Sequence, residues 1–99
     1  MNENEIKKFA DKIASQNDVY KIILYNKKTA LSGDFTSFKI CVILNNGSAS
    51  DLEREIYIQN DLPIPFDVLV YKKERWIKLC EQQFSFASRI EEMGTKIYG

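Results

Sequence analysis

The chain contains no histidine among its 99 residues. Imidazole is the general base of Ser-His-Asp and Cys-His sites and a ligand of most catalytic zinc ions, so its absence excludes those kinds of site. Cysteine and proline are also scarce, with two of each. Cys41 and Cys80 lie far apart in the sequence among apolar neighbours, which favours buried free thiols over a disulfide.

Long apolar runs and an excess of either charge are absent as well. No segment approaches the roughly 18 to 20 apolar residues that span a bilayer, and the first residues lack the apolar core of a signal peptide. Fourteen basic residues balance fourteen acidic ones, so the net charge of zero gives no long-range attraction to nucleic acid or to an anionic membrane. We therefore expect a cytoplasmic protein that binds neither a membrane nor nucleic acid.

The residues that are present predict one packed domain over residues 1–99, because 44% are hydrophobic and 12% aromatic. Apolar side chains recur at helical spacing from Ile6 to Ala14, which predicts an amphipathic first helix. Three stretches predict strands because they are short and rich in β-branched and aromatic residues: residues 19–25, 38–44 and 66–71. The first of them has the pattern of an interior strand. Residues 26–37 contain turn formers without periodicity and predict an irregular loop.

Three further helices complete the predicted order of elements. Ser50 and Glu53 form a capping-box pattern in front of a crossover helix between the second and third strands. Two short helices end the chain, the first around Trp76 and the second closed by Gly94 in a left-handed conformation; their apolar residues are Trp76, Leu79, Cys80, Phe86, Ile90 and Met93. The order α-β-β-α-β-α-α predicts an α/β (α+β) fold, with a small mixed sheet flanked by helices.

Four short stretches carry the clearest functional pattern. Tyr25 ends the first predicted strand and is followed by Asn26-Lys27, while Ser37-Phe38-Lys39-Ile40 opens the second strand. Asp67 lies in the third strand, in the stretch FDVLVY, and the chain ends in RIEEMGTKIYG. Together with the order of elements, these stretches resemble the minimal nucleotidyltransferases of the DNA polymerase beta superfamily.

The resemblance assigns a role to each stretch. In that family an aromatic residue and Gly-Ser end the first strand, Ser-Asp-x-Asp opens the second strand, and a third aspartate lies on the third strand. Asp67 stands at the third carboxylate, but Phe38 and Ile40 stand at the first two, where they cannot ligate a metal. Because alternate strand positions share a face, we expect both side chains to point toward Asp67. Asn26 and Lys27 replace the Gly-Ser turn that lets the backbone approach a phosphate.

These replacements favour a catalytically inactive, nucleotidyltransferase-like protein in which Asp67 is vestigial and no cofactor is expected. Lys27, Lys28, Ser37 and Lys39 are the residues that we expect to retain binding of a nucleotide or another anion. The resemblance also implies a protein partner or a homodimer, because small members of this family are commonly paired with a helical protein.

Two alternatives remain open at this level. The first is an active magnesium-dependent nucleotidyltransferase in which Asp67 and a substitute carboxylate, Asp34, hold the metal. The second is an unrelated α/β fold in which a neighbouring donor satisfies Asp67. A further expectation concerns Phe84 and Phe86, which lie near the junction of the last two helices; core packing is the default for both, and a partner surface is the alternative.

Overall fold

The computed structural model describes all 99 residues and contains four helices and four strands. Their bounds in chain order are α1 Glu3–Gln16, β1 Val19–Thr29, β2 Phe35–Leu44, α2 Ala49–Gln59, β3 Phe66–Lys72, α3 Lys73–Cys80, α4 Phe86–Met93 and β4 Thr95–Tyr98. The predicted order is confirmed as far as α4, and β4 is an addition to it. None of the helices is long and apolar enough to cross a membrane.

All four strands form one mixed sheet in the order β3-β2-β1-β4. β1 runs antiparallel to both β2 and β4, whereas β2 and β3 are parallel. A parallel pair needs a crossover connection rather than a hairpin, and α2 provides it between β2 and β3. The predicted α/β fold with a small mixed sheet flanked by helices is therefore confirmed.

Each face of the sheet is covered by two helices. On the first face, α1 and α2 pack against a core that includes Ile22, Phe38, Ile40 and Val68. On the second face, the buried residues of α3 and α4 pack against Ile23, Cys41 and Ile43 of the sheet; they are Trp76, Ala87 and Ile90. Neighbouring residues of β1 and β2 thus belong to opposite cores, as the period of two in a strand requires. Cys41 and Cys80 are free thiols, as predicted, but only Cys41 is buried and Cys80 is half-buried.

The predicted loop over residues 26–37 is wrong over most of its length. β1 continues to Thr29 and β2 begins at Phe35, so only a short turn joins the two strands. The backbone N–H of Ala30 donates to the carbonyl of Asp34 across that turn, at 2.8 Å, and Gly33 takes a left-handed φ of 91°. The hairpin extends beyond the helices, so its strands carry exposed polar residues and lack the apolar alternation on which the prediction depended.

Two helix ends also differ from the prediction. Ser48, not Ser50, caps the start of α2, because its hydroxyl accepts the backbone N–H of Asp51 at 3.3 Å. Gly94 ends α4 in an extended conformation, with φ −76° and ψ 167°, rather than in a left-handed one. A Cβ on Gly94 would lie 2.7 Å from the carbonyl oxygen of Ile90, so glycine is needed there for close approach as α4 turns directly into β4.

The default of core packing is wrong for Phe84. Its side chain is 81% exposed, and its backbone is left-handed with a φ of 64°. Met93, which the helical pattern places on the core side of α4, is also 81% exposed. Only Ala87 and Ile90 of α4 are buried, because the helix has two turns and only its central part faces the sheet.

Candidate functional site

A bulge interrupts the pairing of β1 and β2 at the edge of the second face. Tyr25 pairs with Lys39, but Lys28 pairs with Ser37, so β1 carries one residue more than β2 over this interval. Asn26 lies in the bulge with a left-handed φ of 47°, a conformation that asparagine tolerates better than most residues. Bulges of this kind redirect side chains and are frequent beside functional sites.

The bulge forms one wall of an open cavity of about 500 Å³, which we call the basic cleft. It contains every residue predicted for anion binding, together with the predicted vestigial carboxylate: Lys27, Lys28, Ser37, Lys39 and Asp67. The remaining lining residues are Asn26, Phe38, Pro65 and Phe66. Three lysines and one aspartate are the charged groups of this lining, so the basic cleft has an excess of positive charge in a protein whose net charge is zero.

Lys39 and Asp67 are adjacent in the parallel pair of β2 and β3. The Nζ of Lys39 lies 3.7 Å from the Oδ2 of Asp67, and the two side chains are 45% and 62% exposed. An ion pair as exposed as this contributes only about 0–1 kcal/mol, because water and salt screen it. The pair therefore leaves both groups accessible to a ligand. At 3.7 Å the pair is too long for a hydrogen bond, so Lys39 neighbours Asp67 as a charge and not as the hydrogen-bond donor of the unrelated-fold interpretation.

The expected convergence of Phe38 and Ile40 on Asp67 is wrong. Both side chains are buried on the first face, at 1% and 0% exposure, and Phe38 stacks on Phe66 with ring centroids 5.8 Å apart. The register places Lys39, not its neighbours, beside Asp67. Ser37 alternates with Phe38 and so shares the face of Lys39. The strand pattern predicted β2 correctly. It did not show which side chains of β2 would lie on the same face of the sheet as Asp67.

The residues that would hold magnesium in the enzyme alternative do not come together. Asp34 lies in the turn between β1 and β2 and does not line the basic cleft. No group of three histidine, cysteine, aspartate or glutamate side chains is close enough to hold a metal ion. The nearest charged partner of Asp67 is the ammonium of Lys39, which repels a cation. These residues do not fit a magnesium ion shared by Asp67 and Asp34.

A second open cavity, of about 510 Å³, adjoins the basic cleft, and we call it the α4 chamber. Its lining residues are Tyr25, Asn26, Lys27, Phe86, Arg89, Ile90, Met93 and Gly94, of which Asn26 and Lys27 also line the basic cleft. Sequence reasoning missed this chamber because it assigned Phe86 and Met93 to the core. The spacing of Phe86, Arg89 and Met93 shows that they share one face of α4. It does not show that α4 and the sheet move apart at this face and leave a cavity.

Tyr25 and Phe86 form the aromatic wall of the α4 chamber. Their ring centroids are 5.7 Å apart and their planes are nearly perpendicular, which is a favoured aromatic geometry. Burial raises the pKa of Tyr25 well above its usual value, so its hydroxyl is neutral at physiological pH. The phenol therefore contributes an apolar ring and an uncharged hydroxyl to this part of the surface.

A polar network attaches α3 and α4 to β1. It thereby holds in place α4, the helix that lines the α4 chamber. The carboxylate of Glu91 on α4 forms an ion pair with Lys21 of β1 and accepts the indole Nε1–H of Trp76 at 2.6 Å. Desolvation raises the pKa of Glu91, but the hydrogen bonds from Lys21 and Trp76 outweigh it and hold the pKa below its ordinary value.

No protein-family model matches the chain, and neither a curated protein nor a solved structure matches it. The geometry and charge of the basic cleft are therefore the observations from which a function is proposed.

Proposed function

We propose that the chain is a nucleotidyltransferase-like module that does not catalyse transfer and that binds a nucleotide or a similar anion in the basic cleft. The observation that carries this proposal is that Lys27, Lys28, Lys39 and Ser37 line one open cavity. The Nζ of Lys27 lies 5.6 Å from the centroid of the Phe35 ring. Lysine ammonium groups bind phosphate oxygens as point charges, and a serine hydroxyl donates a hydrogen bond to the same oxygens.

The fold supports the family part of the proposal. The order α-β-β-α-β-α-α and the parallel pair of β2 and β3 agree with what the resemblance implies. The face of Asp67 does not, because Phe38 and Ile40 lie on the opposite side of the sheet. Asn26 has a left-handed backbone at the position to which the resemblance assigns glycine. The bulge thus retains a conformation that glycine favours, although the residue has changed.

The charges of the basic cleft support binding without turnover. On the face of Asp67, β2 presents a hydroxyl at Ser37 and an ammonium at Lys39 but no second carboxylate, and the ammonium repels a divalent cation. An ammonium does offset the negative charge of a phosphate. Under this proposal, Lys39 supplies a fixed positive charge in a cleft where an active family member would hold cations. The cleft is open, so binding should weaken as salt is added.

Amide chemical-shift mapping tests the binding proposal. Addition of ATP, or of tripolyphosphate without magnesium, should shift amides of residues 26–39 and of Asp67. Lys39→Gln should weaken binding several-fold, because it removes the central ammonium, while Lys8→Gln on the exposed side of α1 should leave binding unchanged. Absence of shifts at millimolar concentrations of both compounds would refute anion binding in the basic cleft.

A transfer assay tests the absence of catalysis. We expect no transfer of label from any nucleoside triphosphate in the presence of magnesium or manganese. Transfer that depends on magnesium and disappears in Asp67→Asn would establish the enzyme alternative instead. That alternative has less support, because Asp67 is paired with Lys39 and Asp34 lies outside the cleft.

A protein partner or a homodimer is a second proposal, and the exposed apolar side chains favour it. Phe84 and Met93 are each 81% exposed, and both belong to the region of α4. Sedimentation equilibrium on the purified chain distinguishes self-association from a monomer. If the chain self-associates through this region, Phe84→Ser should shift the equilibrium toward the monomer.

A further inference from the structure

We infer that the α4 chamber binds an aromatic group of the ligand whose phosphate lies in the basic cleft, so that the ligand is an aromatic phosphate ester. This inference rests on the proposed anion binding and adds the chemical class of the group attached to the phosphate. It assigns ligand contacts to Phe86, Arg89 and Met93, none of which belongs to the basic cleft.

The two cavities meet at the bulge of β1. Asn26 and Lys27 line both of them, so a ligand that contacts Lys27 through its phosphate lies at the mouth of the α4 chamber. Each cavity, at about 500 and 510 Å³, lies within the range of roughly 300–1,000 Å³ that is typical of small-molecule sites. A phosphate alone would occupy only the basic cleft and leave the adjoining chamber to water.

The wall of the α4 chamber suits a flat apolar group. Phe86 is 40% exposed and Met93 is 81% exposed, so apolar atoms remain in contact with water on a concave surface. The Met93 thioether is flexible and polarizable, and it makes favourable contacts with aromatic rings. Arg89 adds a planar guanidinium, which stacks on aromatic faces and contributes positive charge next to Lys27.

The charge pattern argues against a purely apolar ligand. Arg89 and Lys27 are the charged residues of the α4 chamber, and both are cations. A ligand that places only hydrocarbon against them would remove a guanidinium and an ammonium from water without compensation. A ligand with a ring over Phe86 and an anion near Lys27 satisfies the apolar wall and both cations.

A matched pair of phosphate esters tests the inference. Methyl phosphate and 1-naphthyl phosphate carry the same charged group and differ in the apolar substituent. We expect the naphthyl ester to bind about five to ten times more tightly, the increment typical of a good aromatic contact. Its amide shifts should extend from residues 26–39 to residues 86–94, whereas those of methyl phosphate should remain within the basic cleft.

Substitutions in the wall of the chamber separate this inference from the anion binding on which it rests. Met93→Ser should bring the affinity for naphthyl phosphate close to that for methyl phosphate, while the affinity for methyl phosphate stays unchanged. Phe86→Leu is a second variant, which retains most of the packing against Tyr25 and should have the same effect. Phe84→Ser is the matched control, because Phe84 is as exposed as Met93 but lines neither cavity.

Three outcomes are informative. Tighter binding of the naphthyl ester that Met93→Ser abolishes supports the inference. Equal affinity for both esters, with shifts confined to residues 26–39, overturns the inference and leaves anion binding in the basic cleft intact. Absence of binding by either ester overturns both.

Discussion

The network around Glu91 should contribute measurably to stability, and removal of its carboxylate is the sharpest test of how α3 and α4 are attached to the sheet. One oxygen, Oε1, takes part in both the ion pair with Lys21 and the hydrogen bond from Trp76 Nε1. Trp76 is 1% exposed, and Glu91 is the side-chain acceptor of its indole N–H. A buried donor left without an acceptor costs about 1–3 kcal/mol.

The magnitude follows from burial and screening. The Glu91 side chain is 32% exposed, so solvent screens its attraction to Lys21, and we assign the ion pair the upper end of the surface range, about 1 kcal/mol. Glu91→Ala should therefore lower the free energy of unfolding by about 2–4 kcal/mol. Glu91→Gln retains an acceptor for Trp76 but loses the charge, and should cost about 1 kcal/mol. In a chain of this length, 1 kcal/mol corresponds to a change of roughly 4–8 °C in Tm.

Urea denaturation at pH 7 measures these differences. Trp76 is the only tryptophan, so its fluorescence reports unfolding of this region directly, and far-ultraviolet circular dichroism provides a second probe. Glu92→Ala is the control, because Glu92 is exposed and has no side-chain partner; it should change stability by less than about 0.5 kcal/mol. A loss for Glu91→Ala as small as that of the control would refute the proposed attachment.

The same network predicts how stability depends on pH. The pKa of Glu91 is lowered in the folded state from its ordinary value of 4.5. A carboxyl group of this kind stabilises the fold above its unfolded pKa, and the stabilisation is lost as the pH falls through the folded pKa. The difference in stability between the natural chain and Glu91→Gln should thus be constant above about pH 5.5 and shrink below pH 4.5. A difference that persists unchanged to pH 2 would contradict the assignment.

Three other predictions concern single residues. Phe84→Gly should raise stability by about 0.5–1 kcal/mol in thermal unfolding, because glycine relieves the left-handed φ of 64° and little burial is lost; an unchanged or lower Tm would count against strain there. Tyr57→Phe should lower the free energy of unfolding by about 1 kcal/mol, since the Tyr57 hydroxyl accepts the N–H of Val68 on the edge strand β3 at 2.7 Å; a neutral effect would mean that water replaces it. Burial raises the pKa of Cys41 to about 12, so iodoacetamide at pH 8 should label it only after unfolding, and rapid labelling of the folded chain would contradict this burial.

Sequence patterns predicted the elements of this fold well where apolar residues are concentrated. The helices were predicted because apolar residues recur there with a period of 3.6, and the first three strands because they are short apolar runs. β4 was missed because it has four residues, of which only Ile97 is buried, and because Gly94 suggested a helix cap. The hairpin beyond Tyr25 was missed because its strands leave the core, and an exposed strand has no apolar period.

The candidate site was predictable in part for a different reason. Lys27, Lys28, Ser37, Lys39 and Asp67 were selected through the family resemblance, and they line one cavity. What the sequence could not give is the register between β2 and β3, which depends on the crossover through α2 and on packing. A shift of one residue would exchange Lys39 for Ile40 beside Asp67 and transfer every side chain of β2 to the other face.

That register also explains how one strand, β2, contributes one face to the closed core and the other face to the basic cleft. Phe38 and Ile40 complete the first core, so carboxylates at these positions would be buried among apolar side chains at a cost that the fold cannot offset. Ser37 and Lys39 are free of that constraint because they line the open basic cleft. Under the proposed function, positive charge in the basic cleft arose at the positions of β2 that the core does not need. Substitutions of Ser37 and Lys39 that change which ligand is bound should therefore leave the stability of the fold largely unaffected.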